Sequence, residues 1–245
     1  MAEDTGNGKD EDEPGEAPGY GQPLPGDWFD DDFAPRKKTS PLSRRPATEH
    51  ILPAAVIFAV CALLSIMSWR GSLPVDLVAG TRTVFADGEY WRLLTSMFLH
   101  SGPSHLLSNG WLLLIFGWLL RDYFGFFAFP FLALCTGIFA NYMTLWMTPH
   151  PMRLIGASGM VYGMLALWIV GYIRYDIRHT IPMRIFRALG FCLIMLLPTT
   201  IQPRVSYQAH AWGFLAGFIL AVLLAGWLPV RRPTRVTMPS LDNHH

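Results

Sequence analysis

The sequence G-A-S-G occupies residues 156–159, at the start of a long apolar segment that runs from Ala157 to about Tyr172. Glycine leaves the backbone accessible, and the first turn of a helix has N–H groups without intrahelical partners. A serine hydroxyl placed there lies near the positive end of the helix dipole, which suits a nucleophile whose attack creates an oxyanion. The alternative is that Gly156 and Gly159 only let neighbouring helices pack closely. The rest of the sequence decides between these two interpretations.

The composition outside this stretch predicts a membrane protein. The chain has 245 residues, of which 51% are hydrophobic and 15% charged, and its apolar residues come in long runs. Such runs predict an all-α polytopic membrane protein rather than a soluble globule. Six apolar segments predict a bundle of six transmembrane helices, over about 51–69, 104–120, 124–147, 157–172, 185–198 and 208–228. The fifth segment is short for a span and ends at Pro198, so we expect it to be tilted, partly unwound or loosely packed.

Three regions are predicted along the chain: a disordered acidic cytosolic tail over residues 1–48, a six-helix core over residues 49–230, and a short cytosolic C-terminal tail over residues 231–245. Residues 1–35 hold eleven of the eighteen acidic residues and one lysine, a composition typical of disorder. A cleavable signal peptide is not expected, because the N-terminus is acidic and apolar sequence begins only near Ile51. No basic patch with interleaved aromatic residues indicates nucleic-acid binding.

The basic residues predict the orientation in the membrane. Loops on the inner side are expected to carry an excess of Lys and Arg. With the N-terminus inside, thirteen basic residues fall in inner regions and five in outer loops, so both termini are predicted to be cytoplasmic. The inner set is Arg36, Lys37, Lys38, Arg44, Arg45, Arg121, Arg174, Arg178, Arg184, Arg187, Arg231, Arg232 and Arg235, and the outer set is Arg70, Arg82, Arg92, Arg153 and Arg204.

This orientation places polar residues from three helices at one depth. The second, fourth and sixth segments would all run from outside to inside, so their first turns lie near the outer leaflet. Those turns contain five polar residues, namely His105, Asn109, Ser158, Tyr162 and His210. Polar side chains in a span are costly and usually face the bundle interior or a water-filled cavity. Their shared depth favours an active site over isolated interhelical hydrogen bonds.

Glycine spacing predicts that the fourth and sixth helices pack tightly. Gly213 and Gly217 share a helix face with His210, and Gly159 and Gly163 offer a matching small face next to Ser158. Such packing would bring His210 within hydrogen-bond reach of Ser158.

A serine beside a histidine predicts a nucleophile with its general base. His210 would take the Ser158 proton and later protonate the leaving amine. No intramembrane Asp or Glu is placed to orient the imidazole, so we expect a dyad, with Tyr162 orienting the ring by stacking. His105 and Asn109 would stabilise the oxyanion together with the Ser158 backbone N–H. The remaining histidines in loops or at segment ends are not expected to be catalytic; they include His50, His100, His150 and His179.

Other hydrolytic chemistries fit the sequence badly. The metalloprotease sequence H-E-x-x-H is absent, and no Cys or His cluster has metal-ligand spacing, so neither a metal nor another cofactor is expected. Asp122 and Asp176 sit at segment ends rather than mid-span, which argues against an aspartyl protease. A small transporter is disfavoured because the polar residues lie at one end of the bundle and no half of the sequence repeats.

Four motifs in order make the chain resemble the rhomboid family of intramembrane serine proteases. E-Y-W-R-L-L-T-S-M-F-L-H at 89–100 is similar to the family's first-loop W-R motif, and H-L-L-S-N at 105–109 to its H-x-x-x-N. G-A-S-G-M-V-Y-G at 156–163 is similar to its G-x-S-G with a tyrosine one turn on, and A-H-A-W-G-F-L-A-G at 209–217 to its A-H-x-x-G-x-x-x-G. The resemblance covers the six-helix core and leaves out residues 1–48.

The resemblance implies a fold, an activity and roles for particular residues. It implies a six-helix rhomboid-like bundle in a bacterial inner or plasma membrane, with Ser158 as nucleophile, His210 as base, and His105 and Asn109 around the oxyanion. It also implies cleavage of single-pass transmembrane proteins near the outer face of the bilayer, with the fifth helix as a gate. A second hypothesis is a catalytically silent rhomboid-like protein that binds membrane clients, and the presence of both Ser158 and His210 disfavours it.

Overall fold

The structure is a computed structural model and describes residues 40–196, 206–224 and 226. In chain order the described elements are α1 (Leu52–Trp69), β1 (Ala79–Gly80), α2 (Thr81–Phe85), α3 (Arg92–Thr95), α4 (Pro103–Phe126), α5 (Ala133–Met147), β2 (Arg153–Leu154), α6 (Ser158–Tyr175), α7 (Ile181–Leu196) and α8 (Tyr207–Leu223). Each of the six predicted apolar segments overlaps one of the long helices, and α7 begins four residues before its predicted segment. Most of the acidic tail, Pro198 and the C-terminal tail lie outside the described residues.

Two described helical stretches are long and apolar enough to cross a membrane by length and composition. They are Thr48–Trp69, with 22 residues, and Pro103–Met147, with 45 residues; Tyr207–Leu223 is a shorter apolar helix. The longer stretch is not one straight helix, because Gly125 adopts a φ of 78° and a π-helical segment, Phe127–Leu132, follows it. A positive φ is a conformation that glycine adopts without strain. The chain therefore reverses between α4 and α5 close to the predicted boundary of the second and third segments.

Helix α6 is the centre of the bundle. It is apolar all round and buried along most of its length, as expected for a helix surrounded by other helices. It packs against α4, α5, α7 and α8. Ser158 is its first residue, so the candidate nucleophile is fixed by the most enclosed helix of the fold.

Glycines set the distance between α6 and α8. A Cβ atom added at Gly213 would overlap the Gly159 carbonyl oxygen, and one at Gly217 would overlap the Gly163 carbonyl oxygen. On the other side of α6, a Cβ at Gly159 would lie 2.7 Å from the Ala140 Cβ. Helices α6 and α8 therefore touch through their main chains, the closest approach that helix packing allows.

The residues before α1 pack against the bundle. The N-terminal strap, which we define as residues 40–51, contains the 3₁₀ turns Pro41–Ser43 and Thr48–Ile51. The hydroxyl of Ser40 donates to the Tyr175 carbonyl (2.9 Å), and Leu42 is buried in the hydrophobic core. Apolar and polar groups of the strap are thus held by the ends of α4 and α6, and the tail boundary at residue 48 stays a prediction.

A buried carboxylate holds the strap. Asp122, near the end of α4, is fully buried and lies 2.6 Å from Arg44 Nη2 and 2.6 Å from His50 Nδ1. It also accepts the Ala47 backbone N–H (3.1 Å). Because these groups neutralise and hydrogen-bond the carboxylate, its burial is compensated.

The long connection between α1 and α4 is folded against the bundle. It contains α2 and α3, and β1 pairs antiparallel with β2, with Ala79 opposite Leu154 and Gly80 opposite Arg153. Arg92 is buried and contacts Glu89 (2.5 Å) and the Asp76 carbonyl. This small sheet attaches the connection to the segment immediately before Ser158.

Candidate active site

The turn before Ser158 requires glycine for two separate reasons. Gly156 has a φ of +114°, in the region where side chains with a Cβ are strained. A Cβ there would also lie 2.7 Å from His105 Cε1, so the imidazole packs directly on the glycine. The Gly156 N–H donates to the Ser96 carbonyl (3.0 Å), which fixes the turn. The G-A-S-G sequence therefore holds His105 beside the start of α6.

The ring of His210 stacks on Tyr162. The two ring centroids are 4.1 Å apart and the planes differ by 11°. Tyr162 is one turn after Ser158 on α6, and His210 is in the first turn of α8. The stack fixes the plane of the imidazole at the depth of Ser158.

The predicted hydrogen bond between Ser158 and His210 is not formed in this structure. His210 Nε2 is buried and has no hydrogen-bond partner among the described residues. In substrate-free active sites such bonds are often long or poorly aligned and tighten when substrate binds. A buried, unpartnered nitrogen on a fixed ring is a group with capacity to accept or donate one further hydrogen bond.

A cavity of about 420 Å³ opens at Ser158. Its lining contains residues from α4, α5, the β2 segment, α6 and the start of α8; they include Ser101, His105, Asn141, Arg153, Gly156, Ser158 and Ser206. A polar cavity of this size holds several waters or a short peptide segment. The bundle therefore brings Ser158 to a polar space inside an otherwise apolar set of helices.

The two predicted oxyanion residues differ in position. His105 lines the cavity, and its Nδ1 lies 3.2 Å from the Ser101 hydroxyl. Asn109 is buried, and its side-chain amide donates to the His105 carbonyl one turn earlier on α4 (2.9 Å). An amide has two donor hydrogens, so one of them stays free of this bond. The structure thus brings His105 to the cavity with Ser158 and places Asn109 behind it.

Sequence reasoning gave no role at the site to two residues near this cavity. Asn141 of α5 donates to the Leu93 carbonyl (2.9 Å) and to the Ser96 hydroxyl (3.3 Å), and it lines the cavity. The signal for Asn141 was available, because an Asn inside an apolar segment is costly unless it has a partner.

His100 is the second of these residues. It lies in the loop before α4 and packs edge-on against His105 with centroids 5.1 Å apart. Burial and the neighbouring His105 lower the pKa of His100 to about 3, so the ring is neutral at physiological pH. His100 lies in a loop, as predicted, and that loop folds back onto His105.

The described residues show no arrangement suited to a metal. Within residues 40–196, 206–224 and 226, no group of three or more His, Cys, Asp or Glu side chains could hold a metal ion. The groups that the structure does gather at Ser158 are a hydroxyl, imidazoles, amides and a helix N-terminus. These are the groups used in nucleophilic acyl transfer.

The fold and this gathering of groups define a helical membrane protein with a candidate serine site at one end of its bundle. Residues 87–227, more than half of the chain, match the Rhomboid domain family model, and every candidate site residue falls inside that range. The chain belongs to the rhomboid family, whose members are integral membrane proteins.

Individual relatives support the same assignment. The chain is 30% identical over 161 residues to YdcA of Bacillus subtilis (strain 168), which is named provisionally as a rhomboid protease; the match covers 65% of this chain and 77% of YdcA. It is 37% identical over 100 residues to RHOMBOID-like protein 9, chloroplastic, of Arabidopsis thaliana, covering 40% of this chain and 22% of that protein. RHOMBOID-like protein 5 of the same plant is 31% identical over 148 residues, covering 58% and 47%. The match thus spans less than half the length of these two plant relatives.

Proposed function

We propose that this chain is an intramembrane serine endopeptidase with Ser158 as nucleophile and His210 as general base. The observation that carries the proposal is the parallel stack of His210 on Tyr162, one turn after Ser158, on two helices that touch through their backbones. A base is useful only when its nitrogen is held at a fixed place beside the nucleophile. The stack and the glycine contact supply that fixed place.

The reaction uses one proton twice. His210 takes the proton of Ser158 as the hydroxyl oxygen attacks the scissile carbonyl, and then delivers it to the leaving amine. Water that enters through the polar cavity then attacks the acyl-enzyme, with His210 again taking the proton as base. His210 returns a proton to the Ser158 oxygen as the acyl bond breaks. Nε2 of His210 has no other partner among the described residues, so no competing bond must break first.

The oxyanion is stabilised by groups at the start of α6 and on α4. The Ser158 backbone N–H is at the positive end of the helix dipole. His105 lines the same cavity. Asn109 lies behind His105, and its amide retains a second donor hydrogen besides the one given to the His105 carbonyl. Donors of this kind act because charge develops on the oxygen only in the transition state.

The finer architecture belongs to the same proposal. The core over residues 49–230 crosses the membrane six times, with the acidic tail (1–48) and the C-terminal tail (231–245) in the cytoplasm of a bacterial cell. The substrates are single-pass transmembrane proteins, cut near the outer face. The basic-residue asymmetry supports the orientation of the termini, and the family membership supports an integral membrane protein.

Fluorophosphonate labelling of the purified protein tests the proposal. A fluorophosphonate reacts with a serine only when a base activates it, so we expect one modified residue, Ser158, and no modification in His210→Ala. A substrate with one transmembrane helix should be cut by the wild-type protein and left intact by both variants. Absence of labelling in a folded, inserted protein would favour the second candidate, a silent rhomboid-like client binder.

A further inference from the structure

The ring of His105 is held by contacts on two different edges. A Cβ atom added at Gly156 would lie 2.7 Å from His105 Cε1 and 3.1 Å from Nε2, but 3.9 Å from Nδ1. The Nε2 edge therefore faces the turn before Ser158. On the other edge, Nδ1 lies 3.2 Å from the Ser101 hydroxyl oxygen and 3.5 Å from the Ser101 backbone nitrogen. Both polar groups of Ser101 thus converge on one nitrogen of the imidazole.

The Ser101 contact decides which ring nitrogen of His105 carries the hydrogen. A backbone N–H can only donate, so Nδ1 must present its lone pair to Ser101. The Ser101 hydroxyl can rotate to donate to the same nitrogen. In a neutral imidazole the other nitrogen then carries the hydrogen, so Nε2–H is the donor. The contact therefore selects the tautomer whose N–H lies on the edge that faces the turn before Ser158.

The start of α4 explains why the His105 side chain reaches back to Ser101. Gly102 is the residue immediately before the helix and has no side chain to cap it, and His105 is the third residue of the helix. In a capping box, the side chain at this third position accepts a backbone N–H from the residue before the helix. His105 does the same for the N–H of Ser101, one residue further back. The tautomer of His105 is thus coupled to the capping of α4.

The peptide group that contacts His105 is also held by α1. The Trp69 indole N–H donates to the His100 carbonyl at 2.7 Å. This carbonyl belongs to the same peptide unit as the N–H of Ser101, so one planar group is bonded at both ends. Hydrogen bonds in such a chain polarise and strengthen one another. Trp69 therefore fixes the plane of the peptide that presents its N–H to the imidazole.

We propose that Ser101 and Trp69 are positioning residues that set the tautomer of His105, with the hydrogen on Nε2. The consequence of this tautomer rests on the proposed function, because Nε2–H is then ready to donate to the oxyanion. Both residues act through the ring of His105, and neither donates to the substrate carbonyl. Helix α1 thereby contributes to the site through one hydrogen bond to a main-chain carbonyl.

Nitrogen-15 NMR of the full chain, labelled at histidine, tests the tautomer directly, because protonated and unprotonated ring nitrogens differ strongly in chemical shift. The His105 signals are identified by their loss in His105→Gln. We expect the hydrogen on Nε2 in the otherwise unchanged protein and in Ser101→Thr, which keeps the hydroxyl. Ser101→Asp introduces a carboxylate that only accepts, so it should move the hydrogen to Nδ1. All spectra are recorded with Ser158→Ala, so they do not depend on turnover.

Turnover of a transmembrane substrate by protein with Ser158 intact is the second measurement. Ser101→Asp should lower kcat by about 10²- to 10³-fold with little change in KM, as for the loss of an oxyanion donor. Trp69→Phe keeps an aromatic ring but removes the N–H, and should lower kcat by about fivefold, the size of one neutral hydrogen bond. The matched control is Ser108→Ala. The Ser108 hydroxyl donates to the His105 carbonyl (3.1 Å) and not to the ring, so this variant should keep the tautomer and kcat.

Three outcomes would overturn the proposal. A hydrogen on Nδ1 of His105 before Ser101 is changed, or the same nitrogen-15 pattern after Ser101→Asp, would show that Ser101 does not set the tautomer. A changed tautomer with unchanged kcat would show that Nε2–H is not used in the reaction. Equal losses of kcat in Ser101→Asp and Ser108→Ala would assign Ser101 a structural role alone. Failure of the proposed proteolysis looks different, because the wild-type protein would then not react with a fluorophosphonate although the tautomer is as expected.

Discussion

The two ends of the bundle hold different kinds of buried polar group. At the end that holds the strap these groups are carboxylates with cations beside them: Asp122 lies 2.6 Å from Arg44 and from His50, and Asp176 lies 2.6 Å from Arg178. One oxygen of each carboxylate still has no hydrogen-bond partner among the described residues, so the ion pairs carry the compensation there. At the Ser158 end the groups are imidazoles, and the Nε2 atoms of His100 and His210 have neither a hydrogen-bond partner nor a carboxylate beside them in the described part of the chain. The difference indicates that ion pairs stabilise the strap end, whereas the Ser158 end keeps imidazole nitrogens available for proton transfer.

The largest expected effect is the loss of activity in Ser158→Ala and in His210→Ala. Each should lower turnover by more than about 10⁴-fold, and the double variant should be no worse, because groups that act as a unit are non-additive. Thermal unfolding in detergent should change little in Ser158→Ala, whereas His210→Ala loses the stack on Tyr162 and should cost about 1 kcal/mol. Substantial proteolysis by Ser158→Ala would contradict the assignment of Ser158 as the nucleophile.

A second serine of the cavity is the matched control. Ser206 caps α8, where its hydroxyl accepts the Ala209 N–H (3.3 Å). Ser206→Ala should cost about 1 kcal/mol of stability, as for other lost caps, and keep its turnover per folded molecule. If Ser206→Ala loses turnover as Ser158→Ala does, the loss reflects damage to the cavity as a whole and does not identify Ser158 as the nucleophile.

Asn109→Ala separates an oxyanion donor from a purely structural amide. If Asn109 donates in the transition state, kcat should fall by about 10²- to 10³-fold with little change in KM. If it only holds the His105 carbonyl, the cost should be about 1 kcal/mol of stability or less. We expect the fall in kcat, measured with saturating substrate and normalised to the fraction that reacts with a fluorophosphonate. A lower melting temperature with unchanged normalised kcat would contradict it.

Asp122→Ala tests the opposite end. Removing one member of a buried ion-pair group leaves Arg44 and His50 without their shared partner and should destabilise the fold by about 3 kcal/mol. Turnover per folded molecule should be unchanged, the reverse of the Ser158→Ala result. The control is Asp87→Ala, whose exposed contact with Arg82 is 4.0 Å long and should be worth less than about 0.5 kcal/mol. Equal losses of unfolding free energy in Asp122→Ala and Asp87→Ala would contradict the claim that the buried ion pairs of Asp122 stabilise the fold.

The smallest expected effect is a dependence of stability on acid at Asp176. Burial opposes ionisation there, but the bond and charge of Arg178 outweigh it and lower the pKa of Asp176 from 3.8 to about 2. Because the folded-state pKa is below the unfolded one, the stabilisation is present above about pH 4 and is lost as the pH falls towards 2. With screening at the exposed Arg178, it should amount to about 1 kcal/mol. Asp176→Asn should unfold with a shallower pH dependence over this range; identical profiles would contradict the assignment.

Local spacing in the sequence predicted the parts of the site that depend on helix periodicity. The intervals between Ser158 and Tyr162, and between His210 and Gly217, indicated which residues share a helix face, and the structure brings these faces together. Apolar run length likewise indicated where the long helices lie. Such features are local, so a sequence contains them directly.

Contacts between distant segments could not be read from the sequence. The hydrogen bond between Asn141 and Ser96 joins residues 45 positions apart, and His50 reaches Asp122 across 72 positions. Neither pairing has a periodicity, and strap residues such as Pro41 and Arg44 resemble the polar tail that precedes them. The missing hydrogen bond at His210 was unpredictable for another reason, because it depends on side-chain geometry finer than helix spacing.

The main-chain contact between α6 and α8 also bears on how this protein can change over evolutionary time. Side chains that touch can be exchanged for others that refill the space, whereas two backbones in contact have nothing to exchange. The separation of the helices that carry Ser158 and His210 is thus set by atomic radii, independently of most neighbouring residues. Residues at the rim of the cavity, such as Arg153 and Met152, are free of that constraint. New substrate preferences can therefore arise at the rim while the spacing of the reacting groups stays fixed.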